Sequence, residues 1–245
     1  MISQVVRDEL APSGILRVGI NYGNPVLARR DAGSGELSGV AVDLARELAR
    51  RCGLALELVG FEAAGKMTGA LKANTWDVAF LAAEAGRAGE IAFTAPYLLI
   101  EGTYLIPPGS PIQSFAEVDR DGVRVGMSTG SAYELFLQRN MKHAQMVQAG
   151  SPSATFSLLI DGKVDVLAGV RQTLVANSAK LPGARVFDES FMAIGQAMGM
   201  PHGRPAALLA LREFIEEMKA SGFVAQALQR AGVHGVPVAP AAVSE

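Results

Sequence analysis

One arginine in this chain stands where a guanidinium can grip a small anion. Arg87 lies between an apolar run that reads as a buried strand, Asp77-Val-Ala-Phe-Leu-Ala82, and the segment Glu90-Ile-Ala-Phe-Thr-Ala-Pro-Tyr97. Both neighbours read as framework, so the side chain is expected to point into a cleft. Arginine is the side chain best shaped to hold a carboxylate through two parallel hydrogen bonds. The competing reading is a surface arginine paired with Glu84 or Glu90, a contact that contributes little. A second candidate is Gly126-Met-Ser128-Thr-Gly130-Ser131, which follows a strand and opens a helix. It can offer backbone N–H groups and the Ser131 hydroxyl to an anion at the positive end of the helix dipole. Ser131 also reads as a plain N-cap, and the two roles are compatible.

The same loop satisfies the G-x-S-x-G pattern of a nucleophile elbow. Ser128 would be the nucleophile, with Asp165 or Asp188 and His202 completing a triad in a permitted chain order. No second loop resembles an oxyanion donor, and no catalytic residue is assigned. The chain has three histidines, His143, His202 and His234, and one cysteine, Cys52. No histidine or cysteine pair has ligand spacing, so neither a metal nor another cofactor is expected. Cys52 reads as a small buried hydrophobe.

The elements that must position these residues alternate short apolar runs with amphipathic ones, which argues for an α/β fold with mostly parallel strands. Strands are expected at Ile15–Asn21, Leu54–Val59 and Asp77–Ala82, with helices over Val40–Arg51 and through Met67, Ala70 and Leu71. The three prolines of Pro107-Pro-Gly-Ser-Pro111 then break the rhythm and suggest a crossing between domains. A second series follows, with strands at Val123–Met127, Gln145–Gln148 and Val164–Ala168. Its helices run over Ala132–Arg139 and from a cap at Ser151. The apolar run Phe191–Met200 leads to helices at Arg204–Ala220 and Phe223–Arg230, and Val233 onward reads as a tail.

Composition permits this reading and narrows the partners. The 245 residues are 49% hydrophobic with a formal net charge of −2 and no basic stripe, which argues against nucleic acid. No stretch approaches the length of a membrane span. The first ten residues lack the apolar core of a signal peptide. A periplasmic location is therefore expected if a leader was removed, and a cytoplasmic one if Met1 is the native start.

The order of the pieces resembles the polar amino-acid-type solute-binding proteins, bacterial extracellular family 3. The resemblance rests on Leu16-Arg-Val-Gly, Gly35-Glu-Leu-Ser-Gly39 before Val42-Asp-Leu-Ala45, Trp76-Asp-Val, and Gly86-Arg87 before Ile91-Ala-Phe-Thr-Ala-Pro-Tyr97. Val123-Arg-Val-Gly126 before Gly130-Ser131, Gly162-Lys-Val-Asp165 and Glu216-Glu-Met-Lys-Ala-Ser-Gly-Phe-Val-Ala225 complete it. It implies a two-lobed, type II periplasmic-binding-protein-like clamshell, each lobe a mostly parallel sheet flanked by helices. Lobe one would hold residues 1–106 and 192–245, and lobe two residues 107–191. It further implies that ligand is trapped between lobes, that Arg87 grips a carboxylate, and that Ser131 assists. The expected partners are a small carboxylate-bearing solute and, if the protein is exported, an ABC-type permease; a sensor role is the alternative.

Departures from the family pattern bear on the ligand. The family's usual ammonium-binding aspartate is replaced by Val170, which cannot pair a buried cation. Arg171 beside it is either a second positive contact for a dicarboxylate or a surface arginine. Asn21, Tyr22 and Asn24 either line the cleft wall or build a turn. Phe61 and Glu84 are further wall candidates. Some members of the wider superfamily are dehydratases, so a cyclohexadienyl-dehydratase-like lyase with Glu84 as its acid or base stays open.

Overall fold

A computed structural model of the chain describes residues 2–243, which divide into two compact units. Unit one comprises residues up to Phe61, Met67–Leu99 and Gly195 onward; unit two comprises Glu62–Lys66 and Ile100–Ile194. The first part of the chain forms α1 (Gln4–Leu10), β1 (Ile15–Asn21), the hairpin β2 (Arg29–Arg30) and β3 (Leu37–Ser38), α2 (Val40–Cys52) and β4 (Ala55–Phe61). Next come α3 (Ala64–Gly69), β5 (Val78–Ala82), β6 (Ile91–Phe93) and β7 (Leu98–Ile106). Then follow β8 (Arg124–Ser128), α4 (Ala132–Asn140), β9 (Gln145–Ala149), α5 (Pro152–Ile160), β10 (Val166–Val170), α6 (Arg171–Ser178) and β11 (Arg185–Val186). The chain returns through β12 (Met192–Pro201) to α7 (Pro205–Ala220) and α8 (Phe223–Arg230).

In unit one β1 is central, with β4 parallel on one side and β5 parallel on the other, and β12 runs antiparallel to β5. In unit two β8 takes the same place, flanked in parallel by β9 and β10, and β7 runs antiparallel to β10. Each unit therefore uses one strand order. In each the chain passes first to one side of its central strand and then to the other. In α/β sheets such a reversal marks the carboxyl ends of the strands as the place where ligands bind.

The two sheets also share a tie at the opposite strand ends. Arg17, the third residue of β1, holds Asp77, just before β5, through Nε (2.9 Å), Nη2 (2.9 Å) and its own backbone N–H (3.2 Å). Arg124 opens β8 and holds Asp165, just before β10, in the same way at 3.0, 2.8 and 2.8 Å. The environments differ, because the Asp77 side chain is fully buried and also faces Arg204 at 3.5 Å, whereas the Asp165 side chain is 36% exposed.

Burial explains the strand and helix choices. All five residues of β5 are buried, as are all five of β10, the pattern of central strands covered on both faces. Helix α2 buries Leu44, Ala45, Leu48, Ala49 and Cys52 and ends at Gly53, whose φ of +64° suits a left-handed cap. Burial pushes the Cys52 thiol up. Trp76 is buried against Met67, whose carbonyl accepts its indole N–H at 2.9 Å.

Several expectations shift in detail. The boundary between units falls inside β7, between Leu99 and Ile100, so the proline-rich segment 107–111 lies within unit two. Residues 237–240 are a strap, where a tail was expected. Leu98 pairs with Val238, Leu99 N–H donates to the Pro237 carbonyl, and Ala239 N–H donates to that of Tyr97, both at 3.1 Å. Lys219, its side chain 5% exposed, locks this strap by donating to the carbonyls of Pro240 and Pro96 at 2.8 and 3.2 Å.

Candidate functional site

Arg87 stands at the carboxyl end of β5 and is buried. Its position follows from local structure: Glu84 caps a short 3-10 turn, Ala85–Arg87, by accepting the Gly86 N–H at 2.6 Å. The turn brings the guanidinium back over the strand, where Nη1 donates to the Ala82 carbonyl at 3.0 Å. Burial pulls the Arg87 pKa down to about 10, against an opposing pull from Glu84, so the group stays charged at neutral pH. A charge kept in such a place is suited to an anion delivered from solvent.

In unit two the carboxyl end of the central strand β8 leads into Ser128, Gly130 and Ser131. Ser128 closes β8 and is buried. Gly130 has φ +70°, a left-handed conformation that favours glycine. The Ser131 hydroxyl accepts the Glu134 N–H at 3.1 Å, so it is an N-cap of α4. The Glu134 carboxylate, itself buried, reaches back to the Gly130 N–H at 3.0 Å and also accepts from Gln138 and Gln148, both at 2.5 Å. One amide of this turn is thus already engaged by an internal carboxylate. Burial raises the Tyr133 phenol, with Ser131 and Ser128 beside it acting in the other direction.

The first loop of unit one is built by its asparagines. Asn21 and Asn24 are buried, and their side-chain oxygens accept the N–H groups of Gly23 (3.1 Å) and Val26 (3.2 Å). Both are turn formers here. Tyr22 is half-buried, donates its N–H to Phe61 O at 2.9 Å and faces the Arg30 guanidinium, 5.5 Å from its ring centre. Phe61 packs on the cluster of Met67, Trp76, Ala79, Leu81 and Ile91.

Arg171 has a structural task. Its guanidinium holds Glu101 at 2.5 Å and donates to the carbonyls of Phe187 (2.8 Å), Asp188 (2.7 Å) and Glu189 (3.2 Å). Those contacts fix the approach to β12 onto β7. Val170 is buried at the end of β10.

Within unit two, Asp165 stands at the far end of β8 from Ser128. Asp165 is bound by Arg124 at the start of β8, whereas Ser128 ends that five-residue strand. At about 3.3 Å per residue these positions are roughly 13 Å apart along the strand. Asp188 gives its carbonyl to Arg171, and His202 is exposed in unit one with Nε2 2.9 Å from the Ala88 carbonyl. His143 and His234 are exposed.

One residue of this region escaped the sequence reading. Gln196, 4% exposed, lies in β12 directly opposite Ala82, and its backbone carbonyl accepts the Tyr97 N–H at 2.8 Å. Its amide oxygen Oε1 is buried without a hydrogen-bond partner, as is the hydroxyl of Tyr97. A lone amide inside the apolar run Phe191–Met200 was the available signal.

Two units of one strand order, each receiving its fourth strand from a segment that passes between them, have the fold of the type II periplasmic binding proteins. Solved structures share this fold: a Neisseria gonorrhoeae solute receptor for L-cysteine has a TM-score of 0.81 and 22% identity, covering 95% of this chain and 96% of its own. An ancestral amino acid-binding protein described as a precursor of cyclohexadienyl dehydratase gives 0.76 and 21%, covering 91% and 97%. The histidine-binding periplasmic protein of Escherichia coli K12 is 28% identical over 200 residues, 77% of this chain and 76% of that protein. The chain belongs to the bacterial extracellular solute-binding proteins, family 3, whose pattern it matches over residues 16–232. Among the described residues no helix is long and apolar enough to cross a membrane.

Proposed function

We propose that this protein captures a small carboxylate-bearing solute, with Arg87 as the anchor and Ser131 as its helper, and delivers it to an ABC-type permease. The observation that carries this reading is the buried, charged Arg87 guanidinium at a strand end. The names of its relatives, binders of histidine and of cysteine, support an amino acid or a close analogue as the solute. Val170 has no charge with which to meet an ammonium group, which favours solutes whose nitrogen is neutral, absent or met by another group. Tyr22, Asn21, Asn24, Phe61 and Glu84 belong to the surroundings of the anchor rather than to its grip. A sensor role would use the same site.

A thermal-shift screen of amino acids, hydroxy acids and simple carboxylates tests the proposal. A true ligand at a hundred times its Kd stabilises by about 2.7 kcal/mol. At least one carboxylate should raise the Tm of the wild-type protein and leave that of Arg87→Met unchanged. A ligand bound equally by both would remove Arg87 from the site.

A further inference from the structure

We infer that Gln196 is a specificity-determining residue of the ligand site, its amide reading a hydrogen-bond donor carried by the solute beside the carboxylate that Arg87 holds. The inference rests on the reading of Arg87 as anchor and adds to it a residue and a ligand class. That class is acids with a hydroxyl or amino group next to the carboxylate.

Register brings the two residues to the same strand end. Gln196 is the antiparallel partner of Ala82, and the pairing continues through Ala83 N–H to the Gly195 carbonyl at 3.0 Å. Directly opposed residues of an antiparallel pair lie within about 5.5 Å at Cα and project from the same face. The carbonyl of that same Ala82 accepts Nη1 of Arg87. Gln196 and the anchor therefore share one strand end within unit one.

Chemistry supplies the second half of the argument. The backbone of Gln196 is fixed between β5 and the segment leading into β7, yet Oε1 is buried without a donor. Buried amide oxygens are nearly always satisfied, because an unmet acceptor opposes folding. Every other residue of Met192–Pro201 is apolar or glycine, so packing alone does not call for glutamine here. An acceptor next to a cationic carboxylate grip is arranged to receive an O–H or N–H from the adjacent carbon of a bound acid. A neutral amide can accept from an ammonium or a hydroxyl without a second buried charge, which suits a site that has valine at position 170.

Calorimetric titration of the intact protein with matched acids tests this. Suitable sets are glutarate, 2-hydroxyglutarate and glutamate, and butyrate, 2-hydroxybutyrate and 2-aminobutyrate. The wild type should prefer a substituted member over its parent acid by about tenfold or more, because a site built to hydrogen-bond a group rejects the analogue lacking it. Gln196→Leu should collapse that preference while binding the parent acid as well as before. An unchanged preference, or an equal loss for all members of a set, would overturn the assignment and leave Arg87 as anchor. If Gln196→Leu loses its cooperative melt, Gln196→Met takes its place, and failure of both to fold would assign the residue to the core instead. Absence of any carboxylate binding by the wild type would remove the anchor reading and this one together.

Discussion

Arg87 carries its charge into the interior of unit one, and two consequences follow at the scale of the residue. Desolvation, which lowers its pKa to about 10, marks the charged form as strained by burial, so substitution to methionine should change the Tm of the unliganded protein by only a few degrees. Binding should suffer far more. Truncating one partner of a buried charge pair costs about 2–5 kcal/mol, so Kd for the carboxylate should rise at least ~30-fold by calorimetry. Asp77 behaves in the opposite manner. It is fully buried between Arg17 and Arg204, and Asp77→Ala would strand two guanidinium groups. A loss of about 3–5 kcal/mol in urea unfolding is expected. The corresponding Asp165→Ala in unit two should cost much less, because both partners are partly exposed. The burial of Arg87 was legible in the sequence because a charged residue between two framework segments is conspicuous. Arg171 was not, since nothing in its neighbours shows that Glu101 and three carbonyls from residues 187–189 converge on it. The asparagines of the first loop were read as either wall or turn, and the bonds from Gly23 and Val26 show them as turn formers.

At the scale of the element, α2 illustrates how a helix can tune the stability of unit one with pH. Arg50 and Arg51 hydrogen-bond the Glu47 carboxylate and hold its pKa at about 2, below its ordinary 4.5. The folded state therefore binds this proton less readily than the unfolded state. The associated stability is complete above about pH 4.5 and is lost as pH falls toward 2. Glu47→Gln should flatten the fall in urea midpoint between pH 5 and pH 2; an unaltered slope would assign acid sensitivity to other carboxylates. The strap at residues 237–240 is a second device of this scale. It pairs with the start of β7, and Lys219→Met should speed amide exchange at Leu99 and Ala239 while leaving β8–β10 unaffected. Period-3.6 and period-2 patterns made β1, α2, α4 and α8 readable to within a residue or two. The strap was unreadable because two prolines flanking a bridge carry no periodic signal, and β7 was missed because its partner β10 comes from far along the chain.

Across the whole molecule, the α/β class and the family were visible in the order of small motifs, whereas the crossing point was displaced. Prolines 107–111 suggested the break, but β7 runs unbroken from Leu98 to Ile106 and changes unit on the way. A continuous strand carries no compositional mark of such a change. The repeated tie, Arg17 with Asp77 and Arg124 with Asp165, was written twice in the sequence as Arg-Val-Gly and Asp-Val, and only the shared strand order gives that repetition meaning.

The interleaving of the units also bears on how the polypeptide matures. All four principal strands of unit two lie between residues 98 and 170, so they are synthesised in one stretch. Unit one must wait for β12, made after the whole of its neighbour, before β5 gains its antiparallel companion. Through that interval a growing chain carries an uncovered, wholly apolar strand edge, the kind of surface that chaperones shield during translation.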